Sequence, residues 1–391
     1  MIRVVHLTKG LNGGAGQYVT RLNQALIDAG LDSRIITADS EKKKNILIRL
    51  IRRTFFSLVN RITTDVFYQS CVPFYILPRS LAKADIIHLH SVNGWIDLSQ
   101  LAKFKNKVTC WTLHDIWPIT GGCVVYRGCT KYTSGCNKCP IFNHPFKNLA
   151  SFNLIKKRDI LLKSGLKLIA NSQWTQGKIY NSLVAHSQKH VPIISPSIGE
   201  DYNNLKISGC YKVSEQIVIG LSARSVNAIY KGIRQFFQYL EDNAYPWLDR
   251  AKFLVAGDGE ISHAKNMNVE YSGTVSDQKS VINFYKRCHL FVSPSLMETF
   301  GMTLIEAQAC GRPVVAFDVG GTRETIIHKK TGWLAPLRDY NHLCEGIQWC
   351  ISELENETFD ARYSSSRITK EFSMKTQVRE QILYYNQLLC H

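Results

Sequence analysis

Several features that would fix the class of a protein are missing from this chain of 391 residues. No run of about 20 apolar residues is present to span a bilayer, and residues 1–7 have a strand pattern where a secreted protein would carry a signal peptide. No helix-turn-helix, RRM, KH or zinc-finger pattern occurs, so we expect no nucleic-acid partner. No Asp-x-Asp pair occurs, so the common carboxylate site for Mg²⁺ or Mn²⁺ is also missing. These absences predict a cytoplasmic protein without a carboxylate-bound metal ion.

The basic charge of the chain is confined to its first half. Residues 1–200 hold 27 Lys and Arg against 10 Asp and Glu, whereas residues 201–391 hold 21 basic and 21 acidic residues. Part of the excess is Lys42–Lys44, and residues 45–62 would form a helix with an apolar face and arginines away from it. This pattern is typical of a helix in a membrane interface, with a core helix as the alternative. We therefore expect an anionic membrane surface as a partner.

Strand and helix patterns alternate twice along the chain. The first series predicts strands at residues 2–8, 33–37, 85–90, 108–113, 166–170 and 191–195, and the second at residues 217–221, 253–257, 290–292 and 314–317. Such alternation predicts an α/β fold with two Rossmann-like domains. The expected boundaries are residues 1–198 for the first domain, 210–369 for the second and 370–391 for a C-terminal helix, with a turn-rich linker between the domains.

Two glutamates, Glu298 and Glu306, bracket the most informative segment. The first follows a buried-strand pattern at residues 290–295, and the second lies in a predicted helix that begins near Gly301. The loop between them should lie at the carboxyl edge of a sheet, where open α/β folds bind ligands. The start of the helix offers amides to a phosphate, namely those of Phe300, Gly301 and Met302.

The spacing of the two glutamates argues against a hydrolytic pair. At about 1.5 Å of helical rise per residue, the positions 298 and 306 would lie about 12 Å apart. Glycosidase carboxylate pairs are separated by roughly 5 to 9.5 Å. We therefore interpret Glu298 and Glu306 as anchors for hydroxyl groups on either side of a diphosphate.

This Glu-x7-Glu arrangement, with Ser293-Pro294-Ser295 before it and residues 309–316 after it, closely resembles the donor site of glycosyltransferase family 4, whose members have the GT-B fold. The resemblance spans nearly the whole chain and is strongest over residues 290–333. It implies two Rossmann-like domains facing across a cleft and a C-terminal helix that crosses back to the first domain. It also implies a UDP- or GDP-linked sugar donor, retention of anomeric configuration and no catalytic metal.

The resemblance also implies an acceptor and a location. The acceptor would be a hydroxyl of a glycan or of a polyprenyl-diphosphate-linked glycan in capsule or lipopolysaccharide biosynthesis. A protein with this role is expected in the cytoplasm, as a peripheral protein on the inner face of the cytoplasmic membrane.

In the second half, the resemblance assigns a role to two basic residues beside the glutamates. Arg224 and Lys231 match an Arg and a Lys of related transferases, and two fixed cations can neutralise the charge that builds on a leaving diphosphate. Glu298 would hold hydroxyls of the sugar, and Glu306 would hold the ribose.

In the first half, a glycine and a histidine are the leading candidates. Gly14 lies in the glycine-rich segment 10–16, and the missing Cβ of such residues lets backbone approach a phosphate closely. His114 ends a strand where family members carry an active-site histidine, so it would contact the donor sugar, with a structural hydrogen bond as the alternative. His88 and His90, at the end of the neighbouring strand, are candidates for the acceptor side.

Four cysteines lie close together in an insert at residues 121–140. They are Cys123, Cys129, Cys136 and Cys139, with the spacing Cys-x5-Cys-x6-Cys-x2-Cys. This spacing suits a structural zinc ion, although reduced thiols, disulfides or an iron–sulfur cluster remain open. The same loop resembles that of colanic-acid-type and capsular polysaccharide transferases.

Two other classes of protein stay open at this point. One is a different GT-B enzyme, either a nucleotide-sugar epimerase or a phosphorylase. The other is a non-enzymatic, zinc-dependent interaction protein built around the cysteine loop.

Overall fold

The chain divides into two units, which are described separately. The N-terminal unit comprises residues 1–195 and 378–391, and the C-terminal unit comprises residues 196–377. This computed structural model describes residues 1–38, 57, 79–104, 106–142, 146–208, 213, 215–261, 264, 266–275 and 277–390. The predicted interfacial segment, residues 45–62, lies outside the described residues apart from residue 57.

The described sheet of the N-terminal unit has five parallel strands. Their bounds are β1 Arg3–Thr8, β2 Asp32–Thr37, β3 Ile86–Leu89, β4 Val108–Thr112 and β5 Lys167–Ile169. The strands β1, β3 and β4 are buried almost throughout, as expected for parallel strands covered on both faces. The order is β2-β1-β3-β4-β5, so the direction of strand addition reverses between β1 and β3. Open α/β sheets bind ligands at such a reversal.

Four helices of eight or more residues belong mainly to this unit. They are α1 Gly13–Asp28, α2 Leu149–Ser164, α3 Gln173–Tyr180 and the C-terminal helix α10 Met374–Leu389. The helix α2 ends at Gly165, whose φ of 66° is the left-handed conformation that terminates many helices. The helix α3 begins at Ser172, whose side chain accepts a hydrogen bond from the amide of Thr175.

The segment at residues 191–195 does not form the predicted strand. Its only ladder contact is an isolated bridge between Ile193 and Ala170. Two prolines flank the bridge, Pro192 and Pro196, and neither has an N–H group to donate to a neighbouring strand.

The sheet of the C-terminal unit has six parallel strands. Their bounds are β6 Ile217–Ser225, β7 Ala251–Asp258, β8 Val269–Gly273, β9 Leu290–Ser293, β10 Val314–Phe317 and β11 Gly332–Ala335. The order is β11-β10-β9-β6-β7-β8, which is the Rossmann order, with its reversal between β6 and β9. The helices of this unit are α4 Ile233–Glu241, α5 Gln278–Arg287, α6 Met302–Ala309, α7 Thr322–Thr325, α8 Tyr340–Glu355 and α9 Ala361–Glu371. The prediction of two Rossmann-like domains is confirmed.

Two strands of this sheet, β8 and β11, were not among those predicted. The residues of β8 are half-buried or exposed, because it is the edge strand beside β7. The strand β11 lies at the opposite edge and has only four residues.

The C-terminal helix packs on the N-terminal unit, as the resemblance implied. The hydroxyl of Tyr385 lies 2.6 Å from Nδ1 of His88, and Tyr385 is fully buried. The helical segment expected from Lys370 is divided, since α9 ends at Glu371 and α10 begins at Met374. Among the helices that the structure describes, none combines the length and the apolarity needed to cross a bilayer.

Candidate active site

The predicted donor-site residues gather at the strand reversal of the C-terminal unit. Arg224 lies near the end of β6, and Lys231 closes a short turn that follows it. Glu298 lies in the loop after β9, the strand that pairs with β6. Both loops therefore follow the carboxyl ends of β6 and β9. The direction of strand addition reverses between these two strands, and a nucleotide binds at this position in Rossmann folds.

An ion pair joins these two loops. Nζ of Lys231 donates to Oε1 of Glu298 at 2.6 Å, and the two side chains are 22% and 14% exposed. Burial disfavours the charge of Lys231, but the Glu298 carboxylate outweighs burial and holds the pKa of Lys231 above its ordinary value. A charged lysine is therefore fixed beside a carboxylate. Arg224, by contrast, is exposed at the end of its strand.

The Glu298 loop is held by backbone contacts from both sides. The amide of Leu296 donates to the carbonyl of Tyr230 at 2.8 Å, and the amide of Gly321 donates to the carbonyl of Glu298 at 3.1 Å. Gly320 has a φ of +59°, and a Cβ added there would lie 1.5 Å from the same Glu298 carbonyl oxygen. Only glycine permits this approach, so the position of Glu298 depends on the loop after β10.

The helix α6 begins beside Glu298 with amides that have no backbone acceptor. Gly301 precedes it with a φ of 102°, and the helix begins at Met302, close to the predicted start. Phe300 is buried, with its ring 5.3 Å from that of Phe372. In the described part of the chain, no hydrogen bond is donated by the amides of Phe300, Gly301 or Met302. A helix start with unpaired N–H groups can bind an anion.

Glu306 lies within α6 and is mostly buried, with 8% of its surface exposed. The hydroxyl of Tyr285 donates to Oε2 of Glu306 at 3.4 Å. The separation of about 12 Å between Glu298 and Glu306 assumed helical rise over the whole interval. Only the residues from Met302 onward are helical, so this rise applies only to the second half of the interval. Glu306 is thus a mostly buried carboxylate on α6 that accepts from the Tyr285 hydroxyl.

In the N-terminal unit, the glycine-rich segment follows β1 and leads into α1. A Cβ added at Gly14 would meet no atom within 4 Å, whereas one added at Gly16 would lie 2.2 Å from the carbonyl carbon of Leu11. Packing therefore explains the glycine at position 16 but not the one at position 14. A close approach of a ligand to Gly14 remains a prediction that fits this difference.

His114 follows β4, is half-buried and contacts a group of buried histidines. Nε2 of His114 lies 3.1 Å from Nδ1 of His90, and Nε2 of His90 lies 3.0 Å from Nδ1 of His6. His88 is also buried, between the hydroxyls of Thr112 and Tyr385.

Burial lowers the pKa of His114 to about 4 and that of His6 to about 3. The pKa values of His88 and His90 lie well below the ordinary range, first because of burial and then because of the other histidines. All four rings are therefore neutral at neutral pH.

A buried lysine supports the loop that follows His114. Nζ of Lys157 donates to the carbonyls of Trp117 and Thr120, the latter at 2.9 Å, and lies 4.0 Å from the centre of the Trp117 ring. The same loop begins with Asp115, whose pKa is raised to about 6 by burial, against the effect of a hydrogen bond from the Trp117 amide.

The four cysteines of the insert are neighbours and are free thiols. Burial raises the pKa of Cys123 to about 12, and the other three thiols contribute to the increase. The backbone partly fits a zinc knuckle, since Cys136 has a φ of 56° and its sulfur accepts a hydrogen bond from the Gly121 amide. A tetrahedral zinc site needs sulfur atoms about 3.8 Å apart. Within the described residues, no three of these sulfur atoms lie within 4.8 Å of one another, so a zinc ion would require them to move closer.

Three contributors to the site were not identified from the sequence. His6 lies inside the first strand pattern, and the signal that could identify it is a polar ring in a mostly apolar strand. Tyr285, which bonds to Glu306, had no sequence signal. Gly320 was not among the predicted site residues.

Two family models match the chain. Residues 12–191 match the model described as Glycosyltransferase Family 4, and residues 216–353 match the model described as Glycosyl transferases group 1. Together they cover most of the chain, and each falls within one of the two units.

Named relatives extend the similarity along the whole length. WcaC of Escherichia coli (strain K12), provisionally named a colanic acid biosynthesis glycosyl transferase, is 22% identical over 415 residues, covering 96% of this chain and 97% of its own. The Staphylococcus aureus capsular polysaccharide biosynthesis glycosyltransferase CapM is 27% identical over 264 residues, covering 62% of this chain and 67% of its own.

Solved structures share the fold at low sequence identity. Sucrose-phosphate synthase from Thermosynechococcus elongatus superposes with a TM-score of 0.68 at 17% identity, covering 99% of both chains. HepE of Anabaena, solved in complex with UDP-glucose, superposes with a TM-score of 0.64 at 15% identity, covering 99% of this chain and all of its own.

Proposed function

The chain belongs to glycosyltransferase family 4 and has the GT-B fold, and from this premise we propose that it transfers a sugar from a nucleoside-diphosphate-sugar donor to a glycan or polyprenyl-diphosphate-linked acceptor. The observation that carries the donor assignment is the Lys231–Glu298 ion pair, at 2.6 Å, at the strand reversal of the C-terminal unit. A cation and a carboxylate side by side match a ligand that has a diphosphate next to sugar hydroxyls.

In the proposed mechanism, the leaving diphosphate is stabilised by fixed positive charge. Lys231 and Arg224 bind its oxygens together with the amides at the start of α6, so that the charge developing on the leaving group meets groups already in position. Glu298 accepts hydrogen bonds from sugar hydroxyls, and Glu306, oriented by Tyr285, accepts those of the ribose. The bond from the anomeric carbon to the diphosphate breaks as the bond to the acceptor oxygen forms on the same face of the sugar. The leaving phosphate takes the proton of the acceptor hydroxyl.

The N-terminal unit contributes neutral groups in this proposal. His114 donates to an oxygen of the donor sugar, and the backbone at Gly14 approaches the donor phosphates. Neutral imidazoles suit this role because they can bind a sugar oxygen without a positive charge of their own. They therefore do not compete with Lys231 and Arg224 for the negative charge of the diphosphate.

The acceptor and the nucleotide are inferred from relatives. The printed names of two relatives refer to colanic acid and capsular polysaccharide biosynthesis, which supports a surface polysaccharide as the product. One structural neighbour was crystallised with UDP-glucose, which supports UDP as the first nucleotide to test. The match to glycosyltransferase families opposes the non-enzymatic zinc-dependent protein that the sequence left open.

We further propose that the protein is cytoplasmic and associates peripherally with an anionic membrane surface. The helix α2 buries one side but also exposes apolar side chains on the other, namely Phe152 at 62%, Ile155 at 41% and Leu162 at 54%. Apart from the buried Lys157, residues 146–167 contain five basic residues and one acidic residue. Apolar side chains flanked by lysines fit the interface of an anionic bilayer.

A vesicle-binding experiment tests the membrane assignment. Sedimentation with phosphatidylglycerol vesicles should capture the wild-type protein, and the double variant Phe152→Ser, Leu162→Ser should bind at least about tenfold more weakly, because it loses two apolar contacts. Leu383→Ser is the matched control, since Leu383 is 56% exposed on α10. Equal binding by both variants, or equal binding to uncharged phosphatidylcholine vesicles, would contradict this surface.

A donor screen tests the reaction. Thermal unfolding with UDP- and GDP-sugars should identify one donor that stabilises the protein, since a ligand at 100 times its Kd adds roughly 2.7 kcal/mol to the folded state. That donor should then lose its sugar to an added glycan acceptor with release of the nucleoside diphosphate. Release of the epimerised free sugar or nucleotide sugar, or sugar phosphate formed from a glycan and phosphate, would indicate an epimerase or a phosphorylase instead.

A further inference from the structure

A chain of buried imidazoles leads from the interior of the N-terminal unit to His114. His6 lies on β1 and His90 follows β3, and the two strands pair in parallel with His6 opposite His88. The ring nitrogens are 3.0 Å apart between His6 and His90 and 3.1 Å apart between His90 and His114. These distances are those of hydrogen bonds, so each link needs one protonated and one bare nitrogen.

The inner end of the chain fixes its direction. Nε2 of His6 is buried and has no hydrogen-bond partner within the described residues. A proton on this nitrogen would bury an unpaired N–H group, which native structures avoid more strictly than an unpaired acceptor. The proton of neutral His6 therefore lies on Nδ1 and is donated to Nε2 of His90. His90 must then carry its own proton on Nδ1 and donate it to Nε2 of His114.

We propose that His6 and His90 are positioning residues that lock His114 in the tautomer with a bare Nε2 and a proton on Nδ1. His114 is thereby kept as a hydrogen-bond donor toward an oxygen of its ligand, and its ring is held in one orientation. This inference rests on the proposed function only in taking that ligand to be the donor sugar. The role resembles that of a group that orients a catalytic histidine through its second nitrogen.

A metal ion is the competing use of these residues. His6, His88 and His90 have ligand atoms that all lie within 4.8 Å of one another. However, both nitrogens of His88 face hydroxyls, and both nitrogens of His90 face other imidazoles. Only Nε2 of His6 lacks a partner among these six nitrogens, so a metal ion would have to displace several hydrogen bonds in a buried site.

Nuclear magnetic resonance of the full chain tests the tautomer without any substrate. Two-bond ¹H–¹⁵N correlation with ¹⁵N-labelled histidine, with His114 assigned by its loss in His114→Gln, should show a protonated Nδ1 and a bare Nε2 at pH 7. In His6→Phe the donor to His90 is lost, and His114 should shift toward a mixture of tautomers. His6→Asn can restore that donor through its amide N–H and should keep the wild-type pattern. A protonated Nε2 on His114 in the wild type, or an unchanged His114 in His6→Phe, would overturn the proposal.

Kinetics provide a second readout. The kcat for sugar transfer should fall by about tenfold in His6→Phe and stay within about threefold of wild type in His6→Asn, at similar thermal midpoints. An equal loss of kcat in the two variants would mean that His6 only fills space in the core, and it would overturn the proposal. So would stoichiometric Co²⁺ binding that is abolished by His6→Phe. If no donor is turned over at all, the proposed function fails while the tautomer measurement still decides this inference.

Discussion

The two units bring opposite chemistry to their candidate site residues. The C-terminal unit presents charge, since Lys231 and Glu298 form an ion pair between two loops and Arg224 is exposed beside them. The N-terminal unit presents buried histidines whose pKa values are lowered until their rings are neutral. Yet the N-terminal half of the sequence carries the whole net charge of +17. Net charge therefore does not point to the proposed diphosphate site, whereas the half-buried Lys231–Glu298 ion pair does.

The largest expected effect concerns the ion pair. Lys231→Met should lower kcat for transfer by about 100-fold, because it removes a fixed cation from the leaving diphosphate. Glu298→Ala should lower it by at least about tenfold with the fold intact. Steady-state kinetics with the donor found in the thermal screen measure both.

The matched control is an ion pair of the same unit near the amino ends of β7 and β8. Nζ of Lys252 lies 2.8 Å from Glu270, and these side chains are 29% and 35% exposed. Lys252→Met should leave kcat unchanged, because surface ion pairs contribute little to stability. If Lys252→Met and Lys231→Met lose activity equally, charge at the strand reversal has no special role.

The next effect tests whether the Glu298 loop is held in place by glycine. Gly320→Ala should lower kcat by about tenfold and also the thermal midpoint, because the new Cβ cannot lie beside the Glu298 carbonyl. Gly273→Ala is the control, since Gly273 also has a positive φ, +64°, but has open space around it. Both variants incur backbone strain, so only Gly320→Ala should change kinetics. A matching loss of kcat in Gly273→Ala would show that loop placement is not the cause.

The buried histidines predict how stability depends on pH. The pKa of His6 is about 3 in the folded chain, whereas an unperturbed histidine has a pKa of about 6.5. Between these values the unfolded chain binds a proton that the folded chain does not. Stability due to His6 is therefore fully present above about pH 6.5 and is lost as the pH falls, by about 1.4 kcal/mol per pH unit.

Urea unfolding at pH 7, 6 and 5 measures this dependence. His6→Asn should reduce the slope of unfolding free energy against pH by about 1.4 kcal/mol per unit below pH 6, because one titrating group is gone. His186→Asn is a control, since His186 is an exposed histidine of the same unit. A slope unchanged by His6→Asn would mean that His6 is protonated in the folded chain.

The parts of this fold that sequence reasoning predicts are those with local signals. Buried strands such as β9 and β10 are continuous apolar runs, and the Glu298 loop follows one of them directly. The edge strand β8 escaped prediction because its half-exposed residues lack such a run. Helix α6 begins at Met302, close to the predicted start, but the left-handed conformation of Gly301 was not predicted because a glycine permits it without requiring it.

The histidine chain could not be predicted for a different reason. His6 and His90 are 84 positions apart, and they meet only because β1 and β3 pair in a particular register. Periodicity within a strand gives the face on which a side chain lies, but it does not give the partner across the sheet. The pairing of Lys231 with Glu298 likewise depends on β6 lying next to β9, a non-sequential neighbour.

The smallest expected effect is that of metal removal. We expect EDTA to change the transfer rate by less than about twofold, because Lys231, Arg224 and the amides of α6 supply the charge that a divalent ion would otherwise give a diphosphate. A structural zinc ion at the cysteine insert, one of the alternatives that the sequence leaves open, would be detected separately by metal analysis and by a lower thermal midpoint of Cys136→Ser. Cys344→Ser serves as the control, since Cys344 is a buried thiol of the other unit.

Each result has a distinct meaning for the comparison of the two units. A midpoint lowered by EDTA in the wild type but not in Cys136→Ser would place a structural metal ion in the N-terminal unit and leave the chemistry unaffected. Loss of transfer in EDTA at an unchanged midpoint, restored by Mg²⁺ or Mn²⁺, would mean that a metal ion neutralises the diphosphate. Lys231 would then be a partner that only orients Glu298, and the positive charge of the C-terminal unit would no longer explain catalysis.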